Sequence, residues 1–370
     1  MSKKLNYDDV TIVPEEITTI SSRSECNPYD EDRYLPIFAS CMSSVVSEDN
    51  IIDFNRNKIY AVLPRNYSLG VRLQWLNKMA KNFVAFSLNE TEKIFLENDP
   101  ELLFPANICI DIANGHMKKL LDVVKELKKK YGNKIRIMTG NIANPKTYKD
   151  YEEAGVDFAR VSIGTGAACI TSSCVGIHYP PFSLIKEVYN IKKKINGKCK
   201  IIADGGIKEY RDIQKALIYA DYVMIGGLFN KAMESAGKTT YGSRYWNIRG
   251  YKILRPLTTL FTYGREIPKE DFENAFKLFK EGKLTIWKQF YGMASKKAQE
   301  VIAQGNNQEI KKLKTAEGKI IYQKVEYNLA GWAENETDYL RSAMSYTNSH
   351  NLEEYKESPC VEITNIRYNH

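Results

Sequence analysis

KIIADGGIKEYRDIQKALIYADYVMIGG, residues 200–227, contains the pattern that decides the fold. A short apolar run ends in Asp204 and the pair Gly205–Gly206, a helix-length segment follows, and a second apolar run ends in Gly226–Gly227. Short apolar runs bounded by turn residues are typical of buried strands. Two such strands on either side of a helical segment predict a parallel βαβ unit.

The same alternation fills the chain up to residue 240. Eight β-rich runs are predicted as strands, at 36–40, 59–63, 83–88, 107–112, 135–140, 158–163, 200–206 and 222–227. The clearest intervening helix is predicted at 116–132, where apolar residues recur at helical spacing before Gly132. Eight strands, each followed by a helix-length segment, predict an α/β protein with a closed (β/α)8 TIM barrel. A doubly wound open sheet is the alternative, but eight evenly spaced units favour closure.

The region 240–287 interrupts this alternation. It is rich in arginine and aromatic residues, and one helix is predicted in it, at 269–281. Because it follows the eighth strand, we expect it to emerge on the catalytic face as an insertion that forms a lid or a subunit contact; the alternative is a peripheral packing element without catalytic consequence. Residues 288–370 are expected to return to shorter elements that supply a C-terminal active-site segment. The organisation predicted for 1–370 is therefore one barrel domain with an insertion after strand eight.

Composition narrows the class of protein. The 53 Lys and Arg residues against 45 Asp and Glu give a net charge of +8, and the lysines are spread rather than clustered. Such a surface favours an anionic, phosphorylated substrate over nucleic acid. No apolar run is long enough to span a membrane and the N-terminus has no secretory pattern, so a cytoplasmic protein without a membrane partner is expected. Seven cysteines without a CxxC pair indicate neither a disulfide framework nor a zinc site.

The polar and glycine-rich strand ends indicate where the chemistry lies. Active sites of TIM barrels form at the C-terminal ends of the strands. Asp111 ends the fourth predicted strand, and TGN, residues 139–141, ends the fifth. The two glycine pairs follow the seventh and eighth strands, where glycine lets a phosphate approach backbone N–H groups.

The loop after the sixth strand, SIGTGAACIT at 162–171, predicts a reactive cysteine. Gly164 and Gly166 free the backbone to turn its carbonyls inward, which suits a monovalent cation, and they present Cys169 at the tip of the loop. A cysteine in this setting, with Thr171 two residues on, favours a nucleophilic thiolate over a buried structural thiol. Its proton-handling partner is either His178 or Glu317, and spacing alone leaves that choice open.

Taken together, these residues resemble the IMP dehydrogenase/GMP reductase family. The motifs that carry the resemblance are LNYDDVTIVPE (5–15), SSRSE (21–25), CIDIANGH (109–116), TGNIA (139–143), SIGTGAACIT (162–171), IIADGGI (201–207), VMIGGL (223–228), FYGMAS (290–295), AEGK (316–319) and LRSAMSY (340–346). The resemblance implies a barrel that binds a purine nucleoside monophosphate. It makes Cys169 the nucleophile that forms a covalent thioimidate at purine C2, with Thr171 and Glu317 as its proton-handling partners.

The resemblance also implies binding residues, NADPH as cofactor, a potassium ion and a homotetramer. The implied substrate-binding residues are Asp204, Gly205, Gly206, Gly226, Gly227, Tyr291, Gly292, Met293, Ala294, Lys314 and Gly318. The implied cofactor-binding residues are Asp111, Ile112, Ala113, Ile163, Gly164, Ser342, Ala343, Met344 and Ser345, with Ser22 and Arg23, some of them across a subunit boundary. The implied potassium ligands are Gly164, Gly166, Cys169 and Ser172.

Two features favour the reductase branch of the family. The predicted strands follow one another too closely to admit the regulatory CBS modules that dehydrogenases usually carry. The segment 296–314 lacks the Arg–Tyr pair with which dehydrogenases activate water, and Glu317–Gly318–Lys319 fits the reductase pattern. The expected reaction is the NADPH-dependent reductive deamination of GMP to IMP and ammonia. The alternative is a CBS-less IMP dehydrogenase that converts IMP to XMP with NAD.

Some positions depart from the family pattern. Ser43 stands where the family usually has Asp, Ala294 where it has Ser, and Lys314 where reductases have Arg, while Arg65 replaces a lysine-containing stretch. These changes bear on the cofactor and the exact substrate more than on the covalent chemistry. Two further alternatives are a flavin-dependent oxidoreductase on a phosphate-binding barrel and a catalytically silent nucleotide-binding barrel.

Overall fold

The computed structural model describes most of the chain. The described residues are 3–78, 81–98, 100, 102, 105–242, 245–248, 251–254, 281, 285–309, 313 and 315–363, with the backbone alone in 241–254. The helix predicted at 269–281 and most of the segment 240–287 lie outside them, so the insertion stays a prediction.

Eight parallel strands close into a barrel, as predicted. The described strands are β1 (Val10–Ile12), β2 (Ile37–Ala39), β3 (Tyr60–Leu63), β4 (Phe83–Phe86), β5 (Ala106–Asp111), β6 (Ile135–Ile142), β7 (Phe158–Val161), β8 (Lys200–Asp204), β9 (Tyr222–Ile225), β10 (Thr239–Gly242), β11 (Tyr245–Ile248), β12 (Tyr251–Leu254), β13 (Thr285–Tyr291), β14 (Ile320–Lys324) and β15 (Cys360–Glu362). The barrel runs in chain order from β2 to β9, and β9 closes it by pairing in parallel with β2. All eight predicted strands are confirmed, and the open-sheet alternative is wrong.

Helices cover the barrel from outside. The described α-helices are α1 (Ile51–Arg56), α2 (Leu69–Lys78), α3 (Leu88–Thr91), α4 (Lys118–Tyr131), α5 (Thr147–Ala154), α6 (Thr171–Cys174), α7 (Pro181–Ile195), α8 (Tyr210–Leu217), α9 (Gly227–Asn230), α10 (Lys296–Gly305), α11 (Leu329–Tyr346) and α12 (Leu352–Tyr355). The helix predicted at 116–132 is confirmed as α4. No helix among the described residues combines the length and apolar character required to cross a lipid bilayer.

Side chains alternate between the two faces of each barrel strand and so form two cores, one inside the barrel and one between the strands and the outer helices. On β9, Met224 points into the barrel interior, whereas Val223 and Ile225 pack against the outer helices. Aromatic rings fill the interior; the ring centroids of Phe38 and Tyr60, for example, lie 4.9 Å apart. The barrel interior is therefore a packed core and not a pore, and in this fold ligands bind at the C-terminal mouth of the barrel.

Four predicted strands end two residues earlier than expected, and three of them do so for a clear local reason. The run 83–88 stops at Phe86 because Ser87 caps α3, accepting a hydrogen bond from the backbone N–H of Glu90. β8 stops at Asp204 because Gly205 and Gly206 have positive φ angles, and β9 stops where Gly226 begins α9.

The C-terminal region departs from the expectation of short elements. α11 spans 18 residues and is the longest helix among the described residues. β13 pairs antiparallel with both β10 and β14, and β15 pairs with β1 near the N-terminus. These pairings join the C-terminal region to the N-terminal segment and to the chain that follows the last barrel strand.

A buried carboxylate fastens the last barrel strand to its surroundings. Asp221, just before β9, accepts hydrogen bonds from Lys192 at 2.6 Å, Lys356 at 2.7 Å and the backbone N–H of Ile201 at 2.7 Å. Burial would raise the pKa of Asp221, but the two lysines outweigh it and hold the pKa at about 2. One side chain thus joins β8, α7 and the segment after α12.

A βαβ unit two strands earlier, β6–α5–β7, carries a related but more exposed contact. Asp157, just before β7, binds Lys128 and the backbone N–H of Ile137, each at 2.6 Å, with the same spacings of 29 and 20 residues. The Asp157 side chain is 32% exposed against 7% for Asp221, and it has one lysine partner rather than two among the described residues.

We predict that Asp221→Asn lowers the free energy of unfolding by about 3 kcal/mol at pH 7, because it leaves two lysines without their buried counter-charge. Ionised Asp221 stabilises the folded state, so the difference from wild type should shrink as the pH falls from about 4 towards 2. Urea unfolding at several pH values measures both effects. Asp157→Asn is the matched control and should cost less; equal losses for the two variants would contradict the assignment.

Candidate active site

Cys169, Thr171 and Glu317 form a continuous series of hydrogen bonds at the mouth of the barrel. The loop after β7 presents Cys169 half-buried, and its Sγ donates to Thr171 Oγ1 over 3.3 Å. Thr171 Oγ1 in turn donates to Glu317 Oε2 over 2.9 Å. The series gives the thiol proton a route through a hydroxyl to a carboxylate. His178, the other partner considered, is exposed, and its Nδ1 lies 3.5 Å from the place that a Cβ on Gly164 would take.

Backbone hydrogen bonds fix this series in register. The N–H of Ile170 donates to the carbonyl of Glu317, and the N–H of Lys319 donates to the carbonyl of Ala168, each over 2.9 Å. Cys169 and Gly318 face each other across this short antiparallel bridge. The bridge sets the position of Glu317 relative to Thr171 although 146 residues separate them.

The loop 291–295 forms a third side of the site. A side chain at Gly292 would lie 2.7 Å from the carbonyl oxygen of Ala168, so only glycine permits this approach. The carbonyl of Ala294 accepts from the N–H of Glu317 over 3.1 Å. Tyr291 Oη lies 2.9 Å from Ser43 Oγ, so the serine that departs from the family pattern holds this tyrosine. Met293 lies half-buried in the same loop.

Both glycine pairs pack against the cysteine loop. A Cβ on Gly205 would lie 2.8 Å from Thr165 Oγ1, and one on Gly227 would lie 3.8 Å from Ala167 Cβ. Gly206 also faces Thr165, and Gly226 precedes the first turn of α9. The structure therefore brings the ends of β7, β8 and β9 to one place.

Four alternating charges cross the mouth of the barrel beside this loop. Arg65 Nε binds Asp111 Oδ2 at 3.1 Å, and Arg160 Nη1 binds Asp111 Oδ1 at 2.9 Å. Arg160 Nε binds Asp204 Oδ2 at 2.8 Å, and Asn141 Nδ2 donates to the same oxygen over 2.7 Å. Burial would raise the pKa of Asp111, but Arg65 and Arg160 outweigh it and lower the pKa. Asp111 is thus held ionised inside the barrel mouth, and Arg160 joins it to Asp204.

A backbone irregularity makes room for this row of charges. The β6–β7 register shifts between Thr139 and Ile142. Gly140 lies there with φ of 141°, and a Cβ would overlap the carbonyl oxygen of Arg160. The bulge lets Arg160 enter the barrel and lets Asn141 reach Asp204.

Two groups of predicted site residues emerge. Cys169, Thr171, Glu317, Gly318, the loop 291–294 and both glycine pairs share the barrel mouth with Asp111, Asp204 and Gly164. Ile112 and Ala113 follow Asp111 directly, and Ile163 precedes Gly164. Lys314 lies outside the described residues.

The second group lies between α11 and the N-terminal segment. Thr18 Oγ1 donates to the carbonyl of Ser345 over 3.1 Å, and Arg23 binds Asp338 of α11 at 2.9 Å. Ser345 Oγ donates to the carbonyl of Ser342 over 2.8 Å. The residues of this group are Ser22, Arg23, Ser342, Ala343, Met344 and Ser345. Met344 is fully buried and packs in the hydrophobic core outside the barrel.

The predicted potassium ligands would bind the ion through carbonyl and hydroxyl oxygen atoms, which suit a hard cation. Ser172 Cβ lies 3.2 Å from the place a Cβ on Gly164 would take, so these two residues are adjacent. The carbonyl of Gly166 accepts from the N–H of Cys169 over 2.9 Å, and each carbonyl has a second lone pair. Within the described residues, no three or more His, Cys, Asp or Glu side chains are grouped to hold a metal ion.

Sequence reasoning placed Gly140 and Asn141 at the catalytic end of the fifth strand without giving them a role, and it missed Arg160 as a contributor to the site. A signal for Arg160 was present, because a strand that places Phe158 inward also places Arg160 inward. An inward arginine in a barrel strand needs buried counter-charges. Nothing in the spacing identified Asp111 and Asp204 as those charges.

Comparisons with known proteins agree with these motifs. Residues 105–282 match the model of the IMP dehydrogenase / GMP reductase domain. The GMP reductase of Staphylococcus epidermidis is 32% identical over 247 residues, which cover 64% of this chain and 74% of that protein. The GMP reductases of Staphylococcus saprophyticus and Helicobacter pylori are 31% and 29% identical over the same shares.

The helix α10 connects the third side of the site to the segment after β3. Ser295 caps its start, accepting from the N–H of Ala298 over 3.1 Å. At its end Gly305 lies against Asn66, and Asn306 Nδ2 donates to the carbonyl of Arg65 over 2.9 Å. Buried Arg72 donates to Asn306 Oδ1 over 3.0 Å. This contact ties α10 to the segment that carries Arg65.

We predict that Gly305→Ala lowers the free energy of unfolding by about 2 kcal/mol, because the new methyl group would overlap the backbone oxygen of Asn66. Gly70→Ala is the matched control, since nothing lies within 4 Å of a Cβ on that residue of α2. The control should stabilise the protein by about 0.5–1 kcal/mol. Chemical unfolding of both variants measures the change in the free energy of unfolding, which should have opposite signs. A Gly305→Ala protein more stable than wild type would show that α10 does not dock on Asn66.

Proposed function

The chain belongs to the IMP dehydrogenase/GMP reductase family, and on that premise we propose that it catalyses the NADPH-dependent reductive deamination of GMP to IMP and ammonia. The observation that carries the proposal is the series of hydrogen bonds from Cys169 through Thr171 to Glu317. A barrel that only bound nucleotides would have no use for a thiol connected to a carboxylate. The series is suited to activating a nucleophile and then protonating a leaving group.

In the first half-reaction Cys169 Sγ attacks C2 of the purine. The thiol proton passes through Thr171 to Glu317, the new C2–Sγ bond forms, and the bond from C2 to the 2-amino nitrogen breaks. Glu317 returns the proton through Thr171 to the departing amine, which leaves as ammonia. A covalent thioimidate on Cys169 remains, and protons and electrons balance without another reactant.

In the second half-reaction C2 is reduced and the C2–Sγ bond breaks, so Cys169 leaves as a thiolate and IMP is formed. NADPH supplies the hydride when bound. Asp111, Ile112, Ala113, Ile163 and Gly164 would hold it at the barrel mouth, where Arg65 and Arg160 fix Asp111. The group Ser22, Arg23 and Ser342–Ser345 would meet the cofactor across a subunit boundary of a homotetramer.

The substrate contacts follow from free polar groups at the barrel mouth. Asp204 Oδ1 has no hydrogen-bond donor within the part of the chain that the structure describes, and it can accept ribose hydroxyls. The glycine pairs after β8 and β9 leave backbone N–H groups open to a phosphate. The net charge of +8 favours an anionic substrate. Potassium would support the loop through the carbonyls of Gly164, Gly166 and Cys169 with Ser172.

Loss of NADPH absorbance with a panel of purine monophosphates tests the proposal. GMP should support NADPH oxidation and release ammonia, whereas AMP and XMP should not. Reduction of NAD with IMP and formation of XMP, without GMP-dependent oxidation of NADPH, would instead establish the CBS-less dehydrogenase.

We predict that Cys169→Ala lowers kcat with GMP by about 10⁴-fold or more, because no covalent intermediate can form. Nucleotide binding should persist, since Asp204 and the glycine pairs remain; isothermal titration with IMP checks this. Cys174→Ser, at the exposed cysteine five residues further on, is the control and should retain wild-type turnover. Near-normal activity of Cys169→Ala would rule out the covalent route.

We predict that Glu317→Gln slows deamination by about 10²–10⁴-fold, because the leaving amine loses its acid. Hydride transfer, measured separately with IMP and NADP⁺, should fall much less. Single-turnover kinetics of the two half-reactions provides the comparison. Equal losses in both would assign the 316–319 turn a structural role only.

A further inference from the structure

We propose that Arg160 is a positioning residue that couples nucleotide binding to cofactor binding. The inference rests on the proposed function, in which Asp204 contacts the ribose and Asp111 lies at the cofactor. One guanidinium, on β7, binds both carboxylates, which come from β8 and β5. Among the described residues, it is the side chain that binds both carboxylates.

The geometry of the contact makes the connection stiff. Arg160 is 6% exposed, and it uses different nitrogens for the two aspartates, Nε at 2.8 Å and Nη1 at 2.9 Å. Because the guanidinium is planar, a rotation that improves one contact moves the other. Cys109 Sγ, 3.7 Å from Nη1, adds a further contact inside the barrel.

The two carboxylates differ in what they still offer a ligand. Both oxygens of Asp111 are used, one by Arg65 and one by Arg160. Asp204 engages Oδ2 alone within the described residues, which leaves Oδ1 for the ribose. Hydrogen bonds from the ribose to Oδ1 would fix the plane of this carboxylate, and with it the guanidinium. Asp111 would then be held in the orientation that the segment 111–113 presents to the cofactor.

The local backbone is adapted to this arrangement. Gly140 adopts a positive φ inside β6, and any side chain there would overlap the backbone of Arg160. An irregularity within a barrel strand breaks its ladder of hydrogen bonds. It also brings Asn141 to Asp204. The bulge therefore makes room for Arg160 and also helps to hold one of the carboxylates that Arg160 binds.

Lysine cannot replace this function, because an ammonium group cannot hold two carboxylates in fixed planes. Arg160→Lys retains the charge and thereby separates coupling from simple charge compensation. Arg136→Lys is the matched control. Arg136 lies on the adjacent strand β6 near its N-terminal end, away from the mouth, where Nε donates to Asn107 Oδ1 over 2.7 Å.

Isothermal titration with IMP and NADPH, a pair that does not react in the proposed scheme, tests the inference. In wild type and in Arg136→Lys, saturation with one ligand should lower the Kd of the other about fivefold or more. The coupling ratio is the Kd of one ligand alone divided by its Kd when the other ligand is saturating. In Arg160→Lys this ratio should fall to about one while both ligands still bind. A wild-type ratio in Arg160→Lys, or no coupling in wild type, would overturn the inference.

Asp111→Asn provides a second variant in case Arg160→Lys does not fold, which circular dichroism reports. It keeps the shape of the side chain but weakens the contact with Arg160, so the ratio should again fall towards one; an unchanged ratio counts against the coupling. Failure of the proposed function can be told apart from failure of this inference. If the wild-type protein couples the two ligands but does not oxidise NADPH with GMP, the proposed function fails and the inference stands.

Discussion

The short backbone bridge on either side of Cys169 is the constraint on which the rest of the site depends. Through Ala168 and Ile170 it fastens the loop after β7 to the segment 317–319. Without it, the carboxylate of Glu317 would have no fixed distance to Thr171. The close contact of Gly292 with Ala168 adds the third segment. Backbone hydrogen bonds thus fix the glycine-containing loop after β7, so the side chains of Cys169 and Thr171 are not needed to hold it in place.

The closed barrel supplies the second constraint. Parallel strands place all their C-terminal ends at one face, so Asp111, Arg160 and Asp204 meet although they come from different strands. Buried ion pairs add little net stability because desolvation offsets their attraction. A row of four charges at the barrel mouth is therefore better explained by ligand binding than by stability. Asp221 differs, since it lies before β9 and joins structural elements.

The sequence predicted the barrel because each of its strands is a short apolar run closed by turn residues. The errors had local causes, such as the capping box of Ser87 and Glu90 that begins α3 inside an apolar run. α11 was not predicted, because its polar centre, AENETD at 333–338, obscures the helical pattern. The family resemblance named Glu317 as a partner of Cys169 and Thr171, but spacing along the chain could not choose it over His178, because only the fold brings Glu317 to them. The partners of Arg160 likewise lie on other strands, and spacing along one chain cannot identify them.

The central claim is that Cys169 bonds covalently to C2 of the purine. Mass spectrometry of protein mixed with IMP and NADP⁺ and quenched in acid tests it most directly, because without ammonia the thioimidate has no route to GMP. The account predicts one nucleotide per chain, on a peptide in which fragmentation locates it at Cys169 and not at Cys174. Formation of NADPH with no adduct, or with an adduct at another residue, would contradict the account.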